Sequence, residues 1–487
     1  MPASAVDAAA KGARLDRGAV LLRRASGAKQ LVSASSHLLF RATVLVTLAL
    51  VVLFTVHYPS LISHSFRLSA PSASSSSGAS SQRRSSHRSL LGKPAAAWER
   101  EVRRSATPRR EDGLSVLVTG AAGFVGFHCA LALRARGDGV LGLDNFNAYY
   151  DPSLKRARQR LLLSSPHHVV VLDADINDSA LLERLFSAVP FTHVLHLAAQ
   201  AGVRHAMRAP QAYVASNVAG LVSVLEACAR HADPQPAVVW ASSSSVYGLR
   251  DSSSPDDDAP FSEEHRTDRP ASLYAATKKA GEAIAHAYNH IYGLSITGLR
   301  FFTVYGPWGR PDMAYFAFAR SIVAGEPVTL FLTAEGGADV RRDFTYIDDV
   351  VRGCLGALDT AGKSTGSSSK SGARKKRGDA PLRVYNLGNT SPVPVTRMVA
   401  ILEKLLGRKA RKRVVTMPGN GDVPFTHANV SHAARDFGYR PTTSLEVGLR
   451  HFVEWFVRYY KLDIKGADIA AGKPSKKKSM VTMSAAS

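Results

Sequence analysis

Between residues 114 and 300 short apolar runs alternate with longer stretches in which apolar positions recur every three or four residues. The runs, bounded by Gly, Asp or Ser, read as buried strands, and the longer period reads as amphipathic helix. This predicts strands at 116–118, 140–143, 169–172, 193–197, 238–240 and 295–300, and helices at 124–136, 211–230 and 273–292. Regular alternation of strand and helix implies an α/β fold on a doubly wound parallel sheet. Past residue 300 the alternation weakens, with strands at 328–331 and 383–387 among helical periods at 347–358 and 395–406. A Rossmann-type part over about 114–300 and a smaller C-terminal α/β lobe over about 301–460 are expected, and no internal repeat is evident.

The N-terminal hundred residues follow a different pattern. Residues 42–56 are apolar apart from threonines, and residues 38–40 extend the run past Arg41. At 1.5 Å per residue, such a stretch crosses a thin bilayer with Arg41 at the interface. It sits too far from the start for a usual signal peptide, so residues 38–57 are expected to be a transmembrane signal anchor. Basic residues outnumber acids over 1–37, which the positive-inside rule places in the cytosol, with the remainder in a lumen. The Ser/Pro/Arg-rich stretch 58–113 reads as a flexible stem, 362–380 as a low-complexity surface insert, and 461–487 as a disordered basic tail.

Composition adds constraints. With 45% hydrophobic residues the chain can fill a core. The formal net charge of +23 sits largely in the N-terminal tail, the run Arg374 to Arg377 and the run Lys476 to Lys478. These runs lie among Ser, Gly and Ala, so they read as solvated charge and no nucleic-acid partner is expected. The three cysteines, Cys129, Cys228 and Cys354, have neither metal-ligand spacing nor a disulfide pattern; no metal is expected, and Cys129 and Cys228 read as buried thiols.

Three constellations carry chemistry. Gly120, Gly123 and Gly126 follow a strand and open a helix. There they allow a tight turn, approach of a pyrophosphate, and close helix–strand packing, with the helix N-terminus facing the phosphates. Asp144 ends the next strand, where a carboxylate accepts hydrogen bonds from an adenosine ribose and repels a 2′-phosphate, which favours NAD over NADP. Asp175 is a candidate partner for the adenine amine. Tyr274 and Lys278 lie four apart on a helix and share a face, so an ammonium there is expected to lower the phenol's pKa. Upstream, the serines 242–245 offer a hydroxyl to hold a reacting oxygen; Ser243 is the candidate, though spacing alone does not choose among the four.

The order of these motifs, with Leu197 to Gln200, Val246 to Gly248 and Arg300 to Gly306, resembles the extended short-chain dehydrogenases/reductases that act on nucleotide sugars. The blocks Ala201 to Arg204, Tyr305 to Met313, Arg341 to Asp349 and Gly421 to Pro424 resemble more narrowly the UDP-glucuronate 4-epimerases, in particular the membrane-anchored plant type. The resemblance spans residue 114 to about 460. It implies a bound NAD, with Tyr274 as the proton acceptor from the C4 hydroxyl and Ser243 holding its oxygen, and it places Phe124, Val125, Ala198 and Lys278 against the cofactor. It implies that Ser244, Ser245 and Thr303 contact the sugar carboxylate, that Arg204 binds the substrate, that Arg310 helps orient it, that Arg342 meets the diphosphate and that Asp422 meets the uridine ribose. It further implies a Golgi enzyme with a luminal catalytic domain, supplying a pectin-type wall precursor, and a homodimer formed through helices 211–230 and 273–292. Where relatives often carry an arginine this chain has Gly419, a loss for which Arg342 or Arg413 could compensate. Dehydratases and decarboxylases of this design place an acid where Ser244 or Ser245 stands. A UDP-glucuronate decarboxylase, a UDP-galactose 4-epimerase and a non-catalytic nucleotide-binding scaffold are the alternatives. Sequons at Asn177, Asn389 and Asn429 lie in folded segments, where low occupancy is expected.

Overall fold

The computed structural model describes residues 94–249, 259–333, 337–366, 378–419 and 421–463. The expected cytosolic tail and membrane anchor, and most of the stem, insert and basic tail, lie outside these residues. Twelve strands are described: β1 (Ser115–Thr119), β2 (Gly139–Asp144), β3 (Val170–Asp173), β4 (His193–His196), β5 (Ala237–Ser243), β6 (Ile296–Phe301), β7 (Thr303–Tyr305), β8 (Pro327–Leu332), β9 (Arg341–Tyr346), β10 (Leu382–Leu387), β11 (Pro392–Pro394) and β12 (Arg411–Thr416).

Seven of them form one sheet in the order β10-β6-β5-β4-β1-β2-β3, and every pair in it is parallel. Strand order reverses beside β1, where β2 lies on one side and β4 on the other. Ligands of doubly wound sheets bind at such a switch point, beyond the C-terminal strand ends. One face is covered by helices Phe124–Arg136 and Ile347–Asp359, the other by Ser179–Ala188, Gly220–Arg230 and Leu273–Tyr292. Strands buried on both faces account for the unbroken apolar runs Val116–Val118 and Val238–Trp240.

Two expectations are corrected. The stem was expected to run to residue 113, but Ala95–Ala106 is a helix whose Trp98, Val102 and Ala106 are buried against the sheet. Ser105 ties it down by donating to the Val140 carbonyl at 2.5 Å and accepting from Val170 N at 2.9 Å. A Cβ at Gly139 would lie 1.8 Å from the Ala106 carbonyl oxygen, so only glycine admits this helix. The second correction concerns the lobe boundary. Strand β10, expected in the C-terminal lobe, pairs with β6 as the edge of the main sheet, and helix Ile347–Asp359 packs against Phe124–Arg136, with Cys354 and Cys129 both in the core.

The remaining lobe holds the sheet β11-β9-β7, the pair β12-β8 and helices Ala314–Ala324, Val395–Leu406 and Leu445–Tyr460. Its core is aromatic: Phe316 meets Phe452 at 5.6 Å and Phe456 at 5.5 Å between ring centroids. Pro210–Arg230 is apolar and long enough to cross a bilayer, but half of that stretch is buried inside the protein.

Candidate active site

The C-terminal ends of the sheet strands and the lobe enclose a cavity of about 860 Å³, and every site candidate named from the sequence lines it. Among the described residues no cluster of metal ligands occurs.

At the switch point Gly120 adopts φ +68°, and a Cβ there would lie 2.8 Å from Ala198 N; one at Gly126 would lie 2.2 Å from the Gly120 carbonyl oxygen. The turn therefore holds β1, β4 and the following helix closer than any side chain permits. Helix Phe124–Arg136 starts at Gly123 without a side-chain cap, which leaves its first N–H groups facing the cavity. Asp144 braces the turn: its Oδ2 accepts from Ala122 N at 3.1 Å, and its Oδ1 accepts from Phe146 N at 2.8 Å and from Lys155 Nζ at 3.2 Å. A carboxylate oxygen has two acceptor positions, so Oδ2 retains one for a ligand hydroxyl. Asp175 accepts from Asn145 at 2.8 Å and from the backbone and side chain of Asn177, each at 2.9 Å. Burial raises its pKa, and these hydrogen bonds outweigh burial and hold it below the usual range.

Leu273–Tyr292 begins at Ser272, whose hydroxyl accepts from Ala275 N at 3.2 Å, and ends at Gly293 in the left-handed conformation. Tyr274 therefore lies in the first turn and Lys278 one turn on. Tyr274 stands beside Ser243, whose hydroxyl lowers the phenol's pKa; Ser243 donates to Ser245 Oγ at 3.0 Å and accepts from Ser245 N at 3.2 Å. Ser242 instead donates to Glu282 at 2.8 Å, so Ser243 is the serine of the four that meets the phenol.

The electrostatics differ from the sequence expectation. Burial raises the pKa of Tyr274, and the bond to Ser243 and the charge of Arg310 only partly offset it. Lys278, buried and donating to the Ala241 carbonyl at 2.7 Å, is itself lowered by burial to about 7. In the polypeptide itself, then, burial keeps the phenol protonated, and the charge of Arg310 acts against it. Beneath them His196, hydrogen-bonded to Thr119 at 2.8 Å, is held neutral: burial first, then Lys278, lower it to about 3.

Carboxylate-held arginines also line the cavity. Arg310 forms a forked pair with Asp312 at 3.0 and 2.6 Å, and the Tyr149 hydroxyl donates to the same carboxylate at 2.9 Å. Asp422 bridges Arg342 at 3.0 Å and Arg204 at 3.3 Å. Asp422 is thus the carboxylate partner of Arg342. Arg413 lies exposed on β12, outside the cavity lining, and so does not replace the arginine missing at Gly419.

A model of the NAD dependent epimerase/dehydratase family matches residues 116–368. The chain belongs to this family. UDP-glucuronate 4-epimerase 6 of Arabidopsis thaliana is 62% identical over 460 residues, 94% of this chain and 96% of that protein. Protein CapI of Staphylococcus aureus is 42% identical over 352 residues, 72% of this chain and 100% of its own. Among solved structures, UDP-glucuronic acid 4-epimerase from Bacillus cereus in complex with UDP-glucuronic acid and NAD is similar at TM-score 0.58 and 32% identity, the match covering 71% of this chain and 99% of that one.

NAD is the cofactor of this epimerase-family chain, and the residues fit it. The glycine turn leaves room for a pyrophosphate at an uncapped helix N-terminus, and Asp144 keeps an acceptor free at the end of β2. The sequence reading gave no role to Tyr149, Lys155, Asp312 or Glu282. Asp312, two residues after Arg310, was the most legible of them; the other three meet their partners through the fold.

Proposed function

We infer that this family member interconverts UDP-glucuronate and UDP-galacturonate by NAD-dependent epimerisation at C4. The observation that carries the reading is the Tyr274–Ser243 pair, set beside Lys278 in a cavity that Arg204, Arg310 and Arg342 also line. Tyr274 takes the proton of the C4 hydroxyl while Ser243 holds its oxygen. Bound NAD supplies the hydride acceptor and then the donor at C4, so the reaction has no net redox change. Tyr274 then returns the proton after the sugar has presented its other face. The arginines suit an anionic substrate, with Arg342 and Arg204 at the diphosphate, Asp422 at the ribose and Arg310 near the carboxylate. Ser244, Ser245 and Thr303 also line the cavity and offer hydroxyls to the carboxylate. No carboxylate stands at 244 or 245 to drive elimination, which favours return of the hydride over dehydration or decarboxylation.

We further propose a Golgi, single-pass type II protein anchored by residues 38–57, with the catalytic domain luminal, supplying precursor for pectin-type polysaccharide. The apolar run and the basic residues before it support this reading. A homodimer through the helical face of 210–230 and 273–292 is supported by the exposure of Val214, Leu273 and Ile291. Asn177 is occupied in hydrogen bonds to Asp175 and the Ala215 carbonyl, which argues against glycosylation there.

The test is proton NMR of the full-length protein in detergent with UDP-glucuronate. Growth of UDP-galacturonate anomeric signals to a fixed ratio supports the reading. Release of a UDP-pentose alone, or conversion of UDP-galactose but not UDP-glucuronate, assigns one of the alternatives instead. Protease protection in microsomes, with tags at the two ends, tests the orientation, and light scattering the dimer.

A further inference from the structure

Behind the cavity wall lies a buried ion pair that the reaction as described does not use. Glu282 and Arg300 have side chains 7% and 6% exposed, and they join at 2.8 Å (Nε to Oε1) and 2.9 Å (Nη2 to Oε2). Removing both charges from water costs several kcal/mol each, and a buried pair of this kind is often matched in stability by apolar residues. Stability alone is therefore a weak reason for its presence.

Its position supplies another. Tyr274, Lys278 and Glu282 lie at i, i+4 and i+8 on Leu273–Tyr292, along one face. Two of them bond the C-terminal end of β5, Lys278 to the Ala241 carbonyl at 2.7 Å and Glu282 to the Ser242 hydroxyl at 2.8 Å, and Tyr274 stands beside Ser243. Three successive strand residues thus face three successive helical turns, two of them fastened by hydrogen bonds. Arg300, on the neighbouring β6, continues the fastening by donating to the Tyr247 hydroxyl at 3.0 Å, and Tyr247 closes the serine turn and donates to Asn386 at 2.6 Å.

We propose that Glu282 is a positioning residue for the reaction. Held by Arg300, it fixes Ser242, and so places the adjoining Ser243 beside Tyr274. The chemistry needs this because proton transfer requires the two hydroxyls to meet one substrate oxygen together, and small misplacements of reacting groups cost large factors in rate. The proposal rests on the epimerase reading above.

Full-length Ser242→Ala and Glu282→Asp test it on UDP-glucuronate. The first deletes one hydroxyl and leaves the ion pair; the second keeps the charge but shortens its reach by one methylene. The expected result for both is a fall in kcat of about tenfold or more with KM within about twofold, since the loss is of positioning rather than uniform binding. The limiting pKa in the kcat–pH profile should rise as Ser243 releases the phenol, and bound NAD per chain should be unchanged. Ser242→Thr, which keeps the hydroxyl, should recover most of the rate. Wild-type kcat and pH profile in Ser242→Ala and Glu282→Asp, even with a lower melting temperature, would overturn the proposal, as would equal impairment of the Ala and Thr variants. A wild-type protein that does not turn over UDP-glucuronate would instead overturn the functional reading, so the two failures are separable.

Discussion

Lys278→Met asks what the buried cation costs. Lys278 is 4% exposed, and burial lowers its pKa from the ordinary 10.5 to about 7. An unfolded chain keeps this proton to above pH 10, so between pH 7 and 9 the unfolded state binds nearly one proton more than the folded state. Stability of the wild type therefore rises across that window, by about 2 kcal/mol from this group. Below pH 7 both states become protonated and the full burial cost applies, about 5 kcal/mol from a shift of this size at 1.36 kcal/mol per unit. Methionine fills nearly the same volume without charge, but it leaves the Ala241 carbonyl without the donor now at 2.7 Å, a loss of about 1–3 kcal/mol. At pH 6 the variant should be inactive yet more stable than wild type by about 2–4 kcal/mol. Urea unfolding of both proteins, stripped of nucleotide, at pH 6, 7 and 9 measures this. The advantage should shrink toward pH 9, because charges elsewhere titrate alike in the two proteins and cancel. Parallel stability curves across the whole range would refute the assignment of a near-neutral lysine.

Three further outcomes are expected. Tyr274→Phe keeps the ring and removes the proton acceptor, so turnover should fall about 10²–10⁴-fold with NAD still bound, read by nucleotide release on denaturation. Gly126→Ala places a Cβ 2.2 Å from the Gly120 carbonyl oxygen, a backbone atom that cannot swing aside; purified protein should have lost its NAD, and retained stoichiometric NAD would count against the cradle. Thr303→Ala removes a hydroxyl from the wall proposed to hold the sugar carboxylate. Loss of hydride and proton at C4 leaves a 4-keto uronate, which readily loses CO2, so the fraction of UDP-pentose by-product should rise, and an unchanged product ratio in the NMR assay argues against that role.

What the sequence disclosed was what local chemistry decides. Phe124–Arg136 and Leu273–Tyr292 were legible to the residue because a glycine ends each and a turn or a serine cap begins it. Helix Ala95–Ala106 was not, although Trp98, Val102 and Ala106 keep helical spacing. Three apolar positions within an Ser/Pro/Arg-rich stretch are too few to be distinguished from a stem, and the contacts that order the helix come from Val140, Val170 and the bare backbone of Gly139. Strand β10 went to the wrong unit for a related reason: its pairing with β6 joins residues more than eighty apart across a long insert, and no periodicity encodes that.

The site divides along the same line. Which residues gather could be read from motif order, and all of the named candidates meet on one cavity. How they are charged could not be, because burial acts on both members of a pair. A lysine beside a tyrosine was expected to lower the phenol; in the folded protein the same exclusion of water raises Tyr274 and brings Lys278 down to about 7. Each therefore disfavours its own ionised form until another charge enters the cavity. The residues that set this balance lie outside the Tyr274/Lys278 motif itself. Arg310 reaches the phenol from the lobe, and Glu282 fastens Ser242 from two turns along the helix. The catalytic pair is thus given by the sequence motif, whereas its readiness to exchange a proton is a property of the folded surroundings, and substitutions there should change the pH dependence of turnover before they change what binds.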